Sequence, residues 1–557
     1  MIQNLSPRID DATHIRTNRW RSVSKCVCSV VVFAAMVSQC IAIDEPKNPV
    51  QQRLTAIYQN LQTATVRVRS GTDTSSGVIV SKSGLVLTVA HGLNPGSDTA
   101  TVVFSNGKTC HAKRVVVDEQ ADVALLLIGV ASLTEVDWST LPVSVIEDSV
   151  VGEVVVASGF PAREPDGMEP VVRLGEILAV DAAAVNTSCT LTSGDSGGPL
   201  VNSFGQLIGL HRQIGVGTES NGHVASAAIR TALEKSEHWK TLTHHTGARA
   251  GAKLLSKDLT ASLQVVTAAS RATVAIHGTT ADGKSAVRIL GTVLDDYHLA
   301  TKLSEIFPYQ ALKCQLADGS MIVATLSKSD RTLDLAILKL ARPYEAGKAL
   351  SAAYSGQRNA VSFRSQIVFA ATSLTDVSAA GMIGRIEHNE PAQPARFGAT
   401  MQSGADHVRI TELSPNGSAV VAGLQVGDEL SRVDGTAVTS LKAVGDLLLA
   451  RQPGDWISID VESAMKQFSL QARLQHDPGK QFEKTEFLDG RTGRVSHRRS
   501  GFPSVLQHDI ALEPDTCGGP LFDMDGHIIA INIARRARES TLAIPIDLVL
   551  TLAKGVE

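Results

Sequence analysis

Short apolar runs, separated by turns that contain Gly, Asn, Asp or Ser, recur along most of this chain. In the first half, the apolar residues 77–80 lead through the turn 81–84 into a second run at 85–89. In the second half, residues 291–294 lead in the same way into 298–301. Short β-branched runs joined by a turn are typical of β-hairpins. The pattern therefore predicts a mostly β fold.

The pattern occurs twice, which indicates an internal repeat. Three further pairs of segments match between the halves: 104–107 with 316–319, 122–126 with 334–338, and 200–210 with 521–531. Regularly spaced short strands favour an all-β barrel or sandwich, here present twice. Asp122 and Ser196 are 74 residues apart, whereas the matching Asp334 and Cys517 are 183 apart. The longer spacing predicts one inserted domain in the second copy.

Length, composition and charge limit the classes of function. The 557 residues are enough for three or four domains. Aromatic residues make up only 4% of the chain, so the cores must consist mainly of Val, Leu, Ile and Ala. A net charge of −4 gives no electrostatic basis for binding nucleic acid.

The N-terminus has the pattern of a secretory signal peptide. An apolar run at 27–42 follows four basic residues, Arg16, Arg19, Arg21 and Lys25. This order of charged and apolar regions predicts a signal peptide at 1–42, with cleavage after Ala42. We expect a periplasmic or secreted protein with no stable membrane span after cleavage. An uncleaved N-terminal anchor and a lipoprotein-type site at Cys40 are the alternatives.

The cysteines are few and scattered. Seven are present, and only Cys110, Cys189, Cys314 and Cys517 lie beyond the predicted signal peptide. This number and spacing do not fit a disulfide framework or a zinc site. A single disulfide between Cys110 and Cys189 stays open for an oxidising compartment. We predict no metal site and no organic cofactor.

Three residues of the first copy form a candidate catalytic set. Ser196 lies in the sequence Gly-Asp-Ser-Gly-Gly-Pro-Leu, His91 ends an apolar run, and Asp122 begins another. A serine hydroxyl needs a base within hydrogen-bond distance, and a carboxylate behind that base fixes its tautomer. The glycine at 194 allows a turn in which the N–H groups of Gly194 and Ser196 form an oxyanion hole.

The second copy carries an altered version of this set. Ser304 falls at the position of His91, Asp334 matches Asp122, and Cys517 matches Ser196. Asp515 replaces Gly194, the residue best suited to shape an oxyanion hole. We predict a degenerate site without activity. A cysteine peptidase and a redox-sensitive thiol at Cys517 are the alternatives.

The inserted segment has a distinctive motif. Residues 412–435 contain Ser-Pro-Asn-Gly-Ser-Ala, then Ala-Gly-Leu-Gln-Val-Gly-Asp-Glu-Leu, then Val-Asp-Gly. Residues 440–449 follow with the spacing of an amphipathic helix. This segment resembles a PDZ domain of the kind attached to bacterial HtrA/DegP-like proteases. The resemblance implies that Arg396, Phe397, Gly398 and Ala399 form a loop that binds a peptide carboxylate. A PDZ-shaped spacer that binds nothing is the alternative.

The order His91, Asp122, Ser196 and the motifs around them resemble the trypsin-like serine proteases, and the HtrA/DegP-like branch in particular. The resemblance implies two chymotrypsin-like double β-barrel domains, with a PDZ domain inserted in the second. The implied divisions are a signal peptide at 1–42, a protease domain at 55–236, a linker at 237–262, a degenerate protease-like domain at 263–393 and 476–557, and a PDZ domain at 394–475.

The chain departs from that branch at one buried position. The branch commonly has Asn before the serine, whereas this chain has Asp195, as the digestive trypsins do. In those enzymes the aspartate pairs with a new N-terminus released by cleavage. No matching activation segment occurs near residue 60, so the partner of Asp195 is open.

The resemblance implies a serine endopeptidase that acts through an acyl-enzyme on Ser196. Its implied substrates are unfolded proteins, and the PDZ domain would bind peptide C-termini. A homo-oligomer is an open expectation, because no trimerisation segment is evident. The competing interpretation is a catalytically inactive PDZ adaptor or chaperone-like scaffold built on protease folds.

Overall fold

The computed structural model describes residues 48–555, except 130–137, 145–148, 216, 219, 243, 246–251, 281–282, 284–285, 345–364, 378, 406, 464–465 and 477–493. The predicted signal peptide and its alternatives at Cys40 and the N-terminal anchor lie outside the described residues. Within the described residues, no helix combines the length and the apolar character needed to cross a membrane.

The first barrel follows helix α1 (Pro49–Ala64). Asn48 caps this helix by accepting the Val50 N–H at 2.8 Å, and Pro49 occupies its first turn. Six antiparallel strands then close in the order β1-β2-β3-β6-β5-β4. They are β1 (Thr65–Ser70), β2 (Asp73–Ile79), β3 (Leu85–Thr88), β4 (Thr99–Val103), β5 (Thr109–Asp118) and β6 (Val123–Ile128).

The second barrel lies in the following sheet, where β8-β9-β10-β13-β12-β11 form a ring because β11 also pairs with β12. The strands of this sheet are β7 (Val143–Ser144), β8 (Val154–Gly159), β9 (Val171–Val180), β10 (Ala184–Thr187), β11 (Pro199–Asn202), β12 (Leu207–Gln213), β13 (Asn221–Ala225) and β14 (His244–His245). Strands β7 and β14 extend it as parallel additions. Helix α2 (Ser226–Leu233) follows β13.

The third barrel repeats the strand order of the first, β15-β16-β17-β20-β19-β18. Helix α3 (Ala252–Ala269) leads into it, and the short helix α4 (Leu303–Ile306) follows β17. Its strands are β15 (Thr273–Thr279), β16 (Ala286–Val293), β17 (His298–Lys302), β18 (Gln310–Gln315), β19 (Met321–Asp330) and β20 (Leu335–Leu340). The range 237–262, predicted as a linker, thus contains the start of α3.

The fourth barrel begins with β21 (Ile367–Ala370) and β22 (Ala379–Glu390) and is then interrupted. The interruption is a small sheet domain with α5 (Ser418–Ala422) and α6 (Leu441–Leu449). Its main sheet runs β24-β25-β26-β28-β29. The strands are β23 (Ala395–Arg396), β24 (Ala399–Ser403), β25 (Val408–Leu413), β26 (Glu429–Val433), β27 (Thr436–Ala437), β28 (Trp456–Ser463), β29 (Lys466–Arg473) and β30 (Gln475–His476).

The chain then returns to complete the fourth barrel in the order β21-β22-β31-β34-β33-β32. The returning strands are β31 (Phe502–His508), β32 (Pro520–Phe522), β33 (Ile528–Ala537) and β34 (Ser540–Pro545), and helix α7 (Ile546–Ala553) follows them. This order matches that of the second barrel strand by strand. The insertion therefore lies between the equivalents of β9 and β10.

Buried contacts join the two double barrels. Asp509 accepts the Met382 N–H at 2.7 Å and also the N–H of Leu174 in the first double barrel. Burial raises the pKa of this carboxyl to about 6. Tyr58 of helix α1 donates its hydroxyl to the Gly384 carbonyl at 3.0 Å. A hydrophobic core containing Val172 continues across this contact.

The predicted fold class is confirmed: the chain is mostly β, with two chymotrypsin-like double barrels and a PDZ domain inserted in the second. The disulfide between Cys110 and Cys189, which the sequence left open, is not formed, and both cysteines are free and buried. The physical reason is that Cys110 packs in the core of the first barrel and Cys189 in that of the second.

Candidate functional site

His91 and Asp122 lie together at the edge of the first barrel. His91 is in a 3₁₀ turn after β3, and its Nδ1 lies 2.8 Å from Asp122 Oδ2. The other carboxylate oxygen accepts the backbone N–H of His91 at 3.0 Å. Asp122 is buried, whereas the His91 side chain is 48% exposed. The carboxylate therefore fixes the imidazole while its far nitrogen stays accessible.

Asp122 has an unusual backbone and a charged neighbour. Its φ is +58°, in the left-handed region that few non-glycine residues adopt. Arg212, near the end of β12 in the second barrel, places its Nε 3.4 Å from Asp122 Oδ2. Burial raises the pKa of Asp122, but the hydrogen bonds from His91 and the charge of Arg212 outweigh it, so the pKa lies below the usual value. The carboxylate is thus ionised at neutral pH.

Ser196 approaches this pair from the second barrel. Its carbonyl accepts the Ser76 N–H at 2.7 Å, and the Gly197 N–H donates to the His211 carbonyl at 2.7 Å. Because Arg212 follows His211, these contacts hold the serine turn beside Asp122. Ser196 is half-buried. Its hydroxyl bonds to no described residue, which fits free enzymes whose catalytic hydrogen bonds tighten on substrate binding.

The turn before Ser196 leaves two amides open. Gly194 has a φ of +97°, and a side chain there would meet the Ala162 N at 2.4 Å. Its carbonyl is turned inward, where it accepts the Ser76 hydroxyl at 2.8 Å. The N–H groups of Gly194 and Ser196 donate to no described residue, whereas the Asp195 N–H donates to the Thr192 carbonyl. Two open donors on one turn are what an oxyanion hole requires.

Asp195 has a partner within the folded chain. Arg173 of β9 pairs with it through Nη1–Oδ2 at 2.8 Å and Nη2–Oδ1 at 3.4 Å, and both side chains are fully buried. The Thr192 N–H donates to Oδ2 at 2.8 Å. Burial acts to raise the pKa of Asp195, and the guanidinium opposes that effect. Arg173 therefore supplies the positive charge that a new N-terminus supplies in the digestive trypsins.

A buried histidine pair lies behind the serine turn. His211 Nε2 lies 3.1 Å from the Ser158 carbonyl, which can only accept, so this nitrogen carries the proton. His211 Nδ1 then accepts from His223 Nδ1 at 3.0 Å, and His223 Nε2 accepts the Thr187 hydroxyl at 2.8 Å. Both imidazoles are therefore neutral. Burial lowers the pKa of His223 to about 3 and that of His211 well below its usual range.

The second copy uses the same backbone frame for different side chains. Asp334 has a φ of +57°, as Asp122 does, and accepts the Ser304 N–H at 2.7 Å. Ser304 therefore stands where His91 stands in the first copy. Its hydroxyl donates to Asp334 Oδ2 at 2.9 Å, and the buried Lys302 ammonium reaches the same oxygen at 2.6 Å. This arrangement holds a structural ion pair and provides no base.

Cys517 occupies the position of Ser196, but its thiol is buried and its N–H already has an acceptor. Gly518 donates to the Asn532 carbonyl at 2.6 Å, as Gly197 does to His211. The Cys517 N–H, in contrast, donates to the Pro514 carbonyl at 3.3 Å, so this donor is not open. The thiol is fully buried, burial raises its pKa, and its hydrogen-bond partner is the Ser496 hydroxyl at 3.7 Å.

The chain itself fills the cleft of the second copy. Ser496 donates its N–H to the Arg535 carbonyl at 3.0 Å, and its hydroxyl accepts the Arg535 N–H at 2.9 Å. Two residues later, the Arg498 carbonyl accepts from Lys302 at 3.0 Å. The segment 494–500 therefore lies across the vestigial site, which the sequence pattern did not predict.

The PDZ domain is attached to this same place. The Trp456 indole N–H and the Arg473 guanidinium donate to the Ser304 carbonyl at 3.1 and 3.2 Å. Arg498 forms a buried ion pair with Asp455 at 2.7 Å. The position that holds His91 in the first copy is thus an anchor for the PDZ domain in the second.

The predicted carboxylate-binding loop precedes the edge strand β24. The Phe397 and Gly398 carbonyls point inward, where they accept the N–H groups of Ala419 and Ser414 at 2.9 Å each. The N–H groups of Phe397 and Gly398 donate to no described residue. Arg396 and Ala399 belong to the strands on either side. In the described sheet β24 pairs only with β25, and helix α6 lies beside it through a bond from Leu441 N–H to Ser403.

Two regions of this chain match known domain families. Residues 75–210 match the trypsin-like peptidase domain, and residues 386–461 match the PDZ domain. The PDZ match begins within β22, earlier than the predicted start at residue 394. The two matches include all three residues of the predicted catalytic set and the loop at 396–399.

Curated relatives carry related names. A protein of Halomonas elongata named "Probable periplasmic serine endoprotease DegP-like" is 32% identical over 157 residues, or 27% of this chain and 31% of the relative. "Serine endoprotease DegS" of Haemophilus influenzae is 34% identical over 145 residues, or 24% of this chain and 40% of the relative. The chain thus spans under half of their length. The predicted resemblance to HtrA/DegP-like serine proteases with a PDZ domain is confirmed.

The chain is also similar to a solved structure, the serine endoprotease from Yersinia pestis. The alignment includes 76% of this chain and 98% of the solved chain. Its sequence identity is 16% and its TM-score is 0.29.

We predict that replacing Arg173 by Met disables the oxyanion hole. The change leaves Asp195 buried without a counter-charge, and breaking one partner of such a pair typically costs about 3–5 kcal/mol of stability. The Asp195 turn should then relax, so the rate of Ser196 phosphonylation by a fluorophosphonate should fall by about 10²-fold or more. Arg173→Lys should lose less, because it keeps the charge.

The matched control for this prediction is Arg69→Met, which removes a half-exposed arginine that pairs with Asp166. Surface pairs contribute little, so labelling should be unchanged. A folded Arg173→Met protein that is labelled at the wild-type rate would show that Arg173 does not position the hole.

We predict that acid destabilises the protein through the histidine pair. His211 and His223 are neutral when folded, whereas in the unfolded chain they take up protons below about pH 6.5. Their stabilising contribution is therefore complete above about pH 6.5 and is lost as the pH falls below it, by up to about 1.4 kcal/mol per pH unit for each group. For His223 the loss continues to about pH 3. Urea denaturation at pH 7.5 and pH 5 measures the effect. His223→Gln should flatten this dependence, and the exposed control His111→Gln should not.

Proposed function

We propose that the first double barrel is a serine endopeptidase that hydrolyses peptide bonds through an acyl-enzyme on Ser196. The observation that carries the proposal is the open pair of N–H groups at Gly194 and Ser196, held beside a histidine–aspartate pair. The relatives of the peptidase domain are named as serine proteases, which supports the same reaction class.

Each residue has a defined task in the proposed reaction. His91 takes the proton from Ser196 as the hydroxyl attacks the peptide carbonyl, and later gives it to the leaving amine. Asp122 keeps the imidazole in the correct tautomer and stabilises the imidazolium. The N–H groups of Gly194 and Ser196 stabilise the negative oxygen of the tetrahedral intermediate. In the second half of the reaction, His91 takes a proton from water as the water attacks the ester, and gives that proton to Ser196 as the acid product leaves.

The second double barrel is proposed to be a pseudoprotease. Lys302 and Ser304 donate hydrogen bonds to the Asp334 carboxylate, which would otherwise orient a histidine. The Cys517 N–H already donates to the Pro514 carbonyl. Its retained barrels carry the PDZ domain through Ser304 and Arg498. This geometry disfavours a cysteine peptidase at Cys517. The role proposed for the degenerate copy is that of a scaffold.

The PDZ domain is proposed to capture polypeptide C-termini for the first double barrel. The open N–H groups of Phe397 and Gly398 suit a carboxylate, and the free edge of β24 suits an added strand. Met401, Leu447 and Leu448 line the domain core beside this edge, so an apolar terminal residue is favoured. We infer unfolded proteins of the periplasm as substrates, in line with the names of the relatives and the predicted signal peptide. Oligomerisation stays a prediction.

The serine is tested by fluorophosphonate labelling of the mature protein. Wild-type protein should be labelled, Ser196→Ala should not, and Cys517→Ala should be labelled as the wild type is. His91→Ala should lower the rate of labelling by at least about 10²-fold, because the hydroxyl loses its base. Absence of labelling in folded wild-type protein, together with tight peptide binding, would favour the inactive PDZ adaptor.

The carboxylate loop is tested with two peptides that share an apolar C-terminal residue, one with a free carboxylate and one amidated. Binding measured by fluorescence anisotropy should weaken at least about tenfold on amidation, since the open N–H groups lose their charged partner. Equal affinity for the two peptides would mean that the loop at 396–399 does not bind a carboxylate.

A further inference from the structure

The tip of one hairpin of the second double barrel is buried against the first. Arg538 lies in the turn between β33 and β34 and is only 1% exposed. Its Nε donates to the Leu191 carbonyl at 2.7 Å, and its Nη2 donates to the Gly217 carbonyl at 2.7 Å. The same Nη2 lies 2.9 Å from Asn221 Oδ1 and 3.3 Å from the Gly215 carbonyl. All four acceptors belong to the first double barrel.

These acceptors come from two segments, one before the Ser196 turn and one between β12 and the start of β13. Leu191 lies five residues before Ser196, in the stretch that ends in the oxyanion-hole turn. Gly215 and Gly217 follow β12, whose residue His211 accepts the N–H beside the serine. The guanidinium of Arg538 therefore connects the stretch before the Ser196 turn to the stretch after β12.

The Arg538 side chain acts as a clamp, in the sense that it holds two segments of the first double barrel at a fixed distance. A guanidinium presents its N–H donors in a rigid planar fork, so the carbonyls that it binds are held at fixed separations. Removing it would leave the buried Leu191 carbonyl and the partly buried glycine carbonyls without this donor. The neighbouring Glu539 pairs with Arg163 of the first double barrel, which fixes the hairpin tip in place.

We propose that these two segments form the walls of the substrate side-chain pocket of the first double barrel, and that Arg538 is a positioning residue for them. The degenerate copy then supplies, within one chain, a part of the active site that the first copy cannot form alone. This inference rests on the proposed endopeptidase function and adds to it a reason for retaining the second double barrel.

The test compares two arginines of the same hairpin. Arg538→Met removes the clamp, whereas the control Arg536→Met removes ion pairs to Glu164 and Glu390 at the same interface without touching the pocket walls. Each protein is assayed for hydrolysis of fluorescein-labelled casein and for labelling of Ser196 by a fluorophosphonate that has no side chain for the pocket. Arg538→Lys and Asn221→Ala are milder variants of the same contact.

For Arg538→Met we expect kcat/KM on casein to fall 10- to 100-fold, while the labelling rate stays within about threefold of wild type. Arg538→Lys should recover part of the loss, and Arg536→Met should cleave casein at the wild-type rate. The proposal is overturned if Arg538→Met cleaves casein like wild type, or if both arginine variants lose labelling and cleavage equally. If the wild type is neither labelled nor active, the endopeptidase function itself fails.

Discussion

The buried ion pair between Arg173 and Asp195 is the contact on which the proposed active site depends. It joins the middle of β9 to the residue before the serine, and both charges are out of water. A buried charge is tolerated only when a partner and further hydrogen bonds satisfy it, and here the Thr192 N–H completes the set. The pair fixes Asp195, so the turn that carries the open amides of Gly194 and Ser196 is held in place as soon as the chain folds.

Comparison of the two copies separates what the barrel needs from what catalysis needs. Three features occur in both copies: the left-handed aspartate, the backbone N–H at 91 or 304 that donates to its carboxylate, and the glycine after the nucleophile position. They are therefore properties of the barrel frame. The exposed imidazole, the open amides and the charged partner behind the turn occur only in the first copy. The second copy uses the freed positions for a buried lysine and for contacts with the PDZ domain.

Much of this could be predicted from the sequence because the relevant signals are local. Apolar runs with turns predicted the strands, and the motifs around His91 and Asp122 marked two side chains that lie in contact. The role of Ser196 stays a prediction. Arg173, Arg212 and Arg538 were not assigned their partners, because each partner lies far away in the chain. Arg173 meets Asp195 within the second barrel, Arg212 acts between the first two barrels, and Arg538 acts between the two double barrels. A lone arginine within the apolar run 171–174 was the available signal for a buried ion pair. The self-filled second cleft depends on a segment that only tertiary packing can locate.

The filled second cleft has a consequence for counting active molecules. Because segment 494–500 already occupies it and the Cys517 thiol is enclosed, an acylating inhibitor can react at one place in each chain, although the chain has two protease folds. The burst of product released in the first turnover would therefore equal the number of folded chains. If the ratio of burst product to folded chains is below one, the difference from one gives the fraction of chains whose first cleft is not assembled.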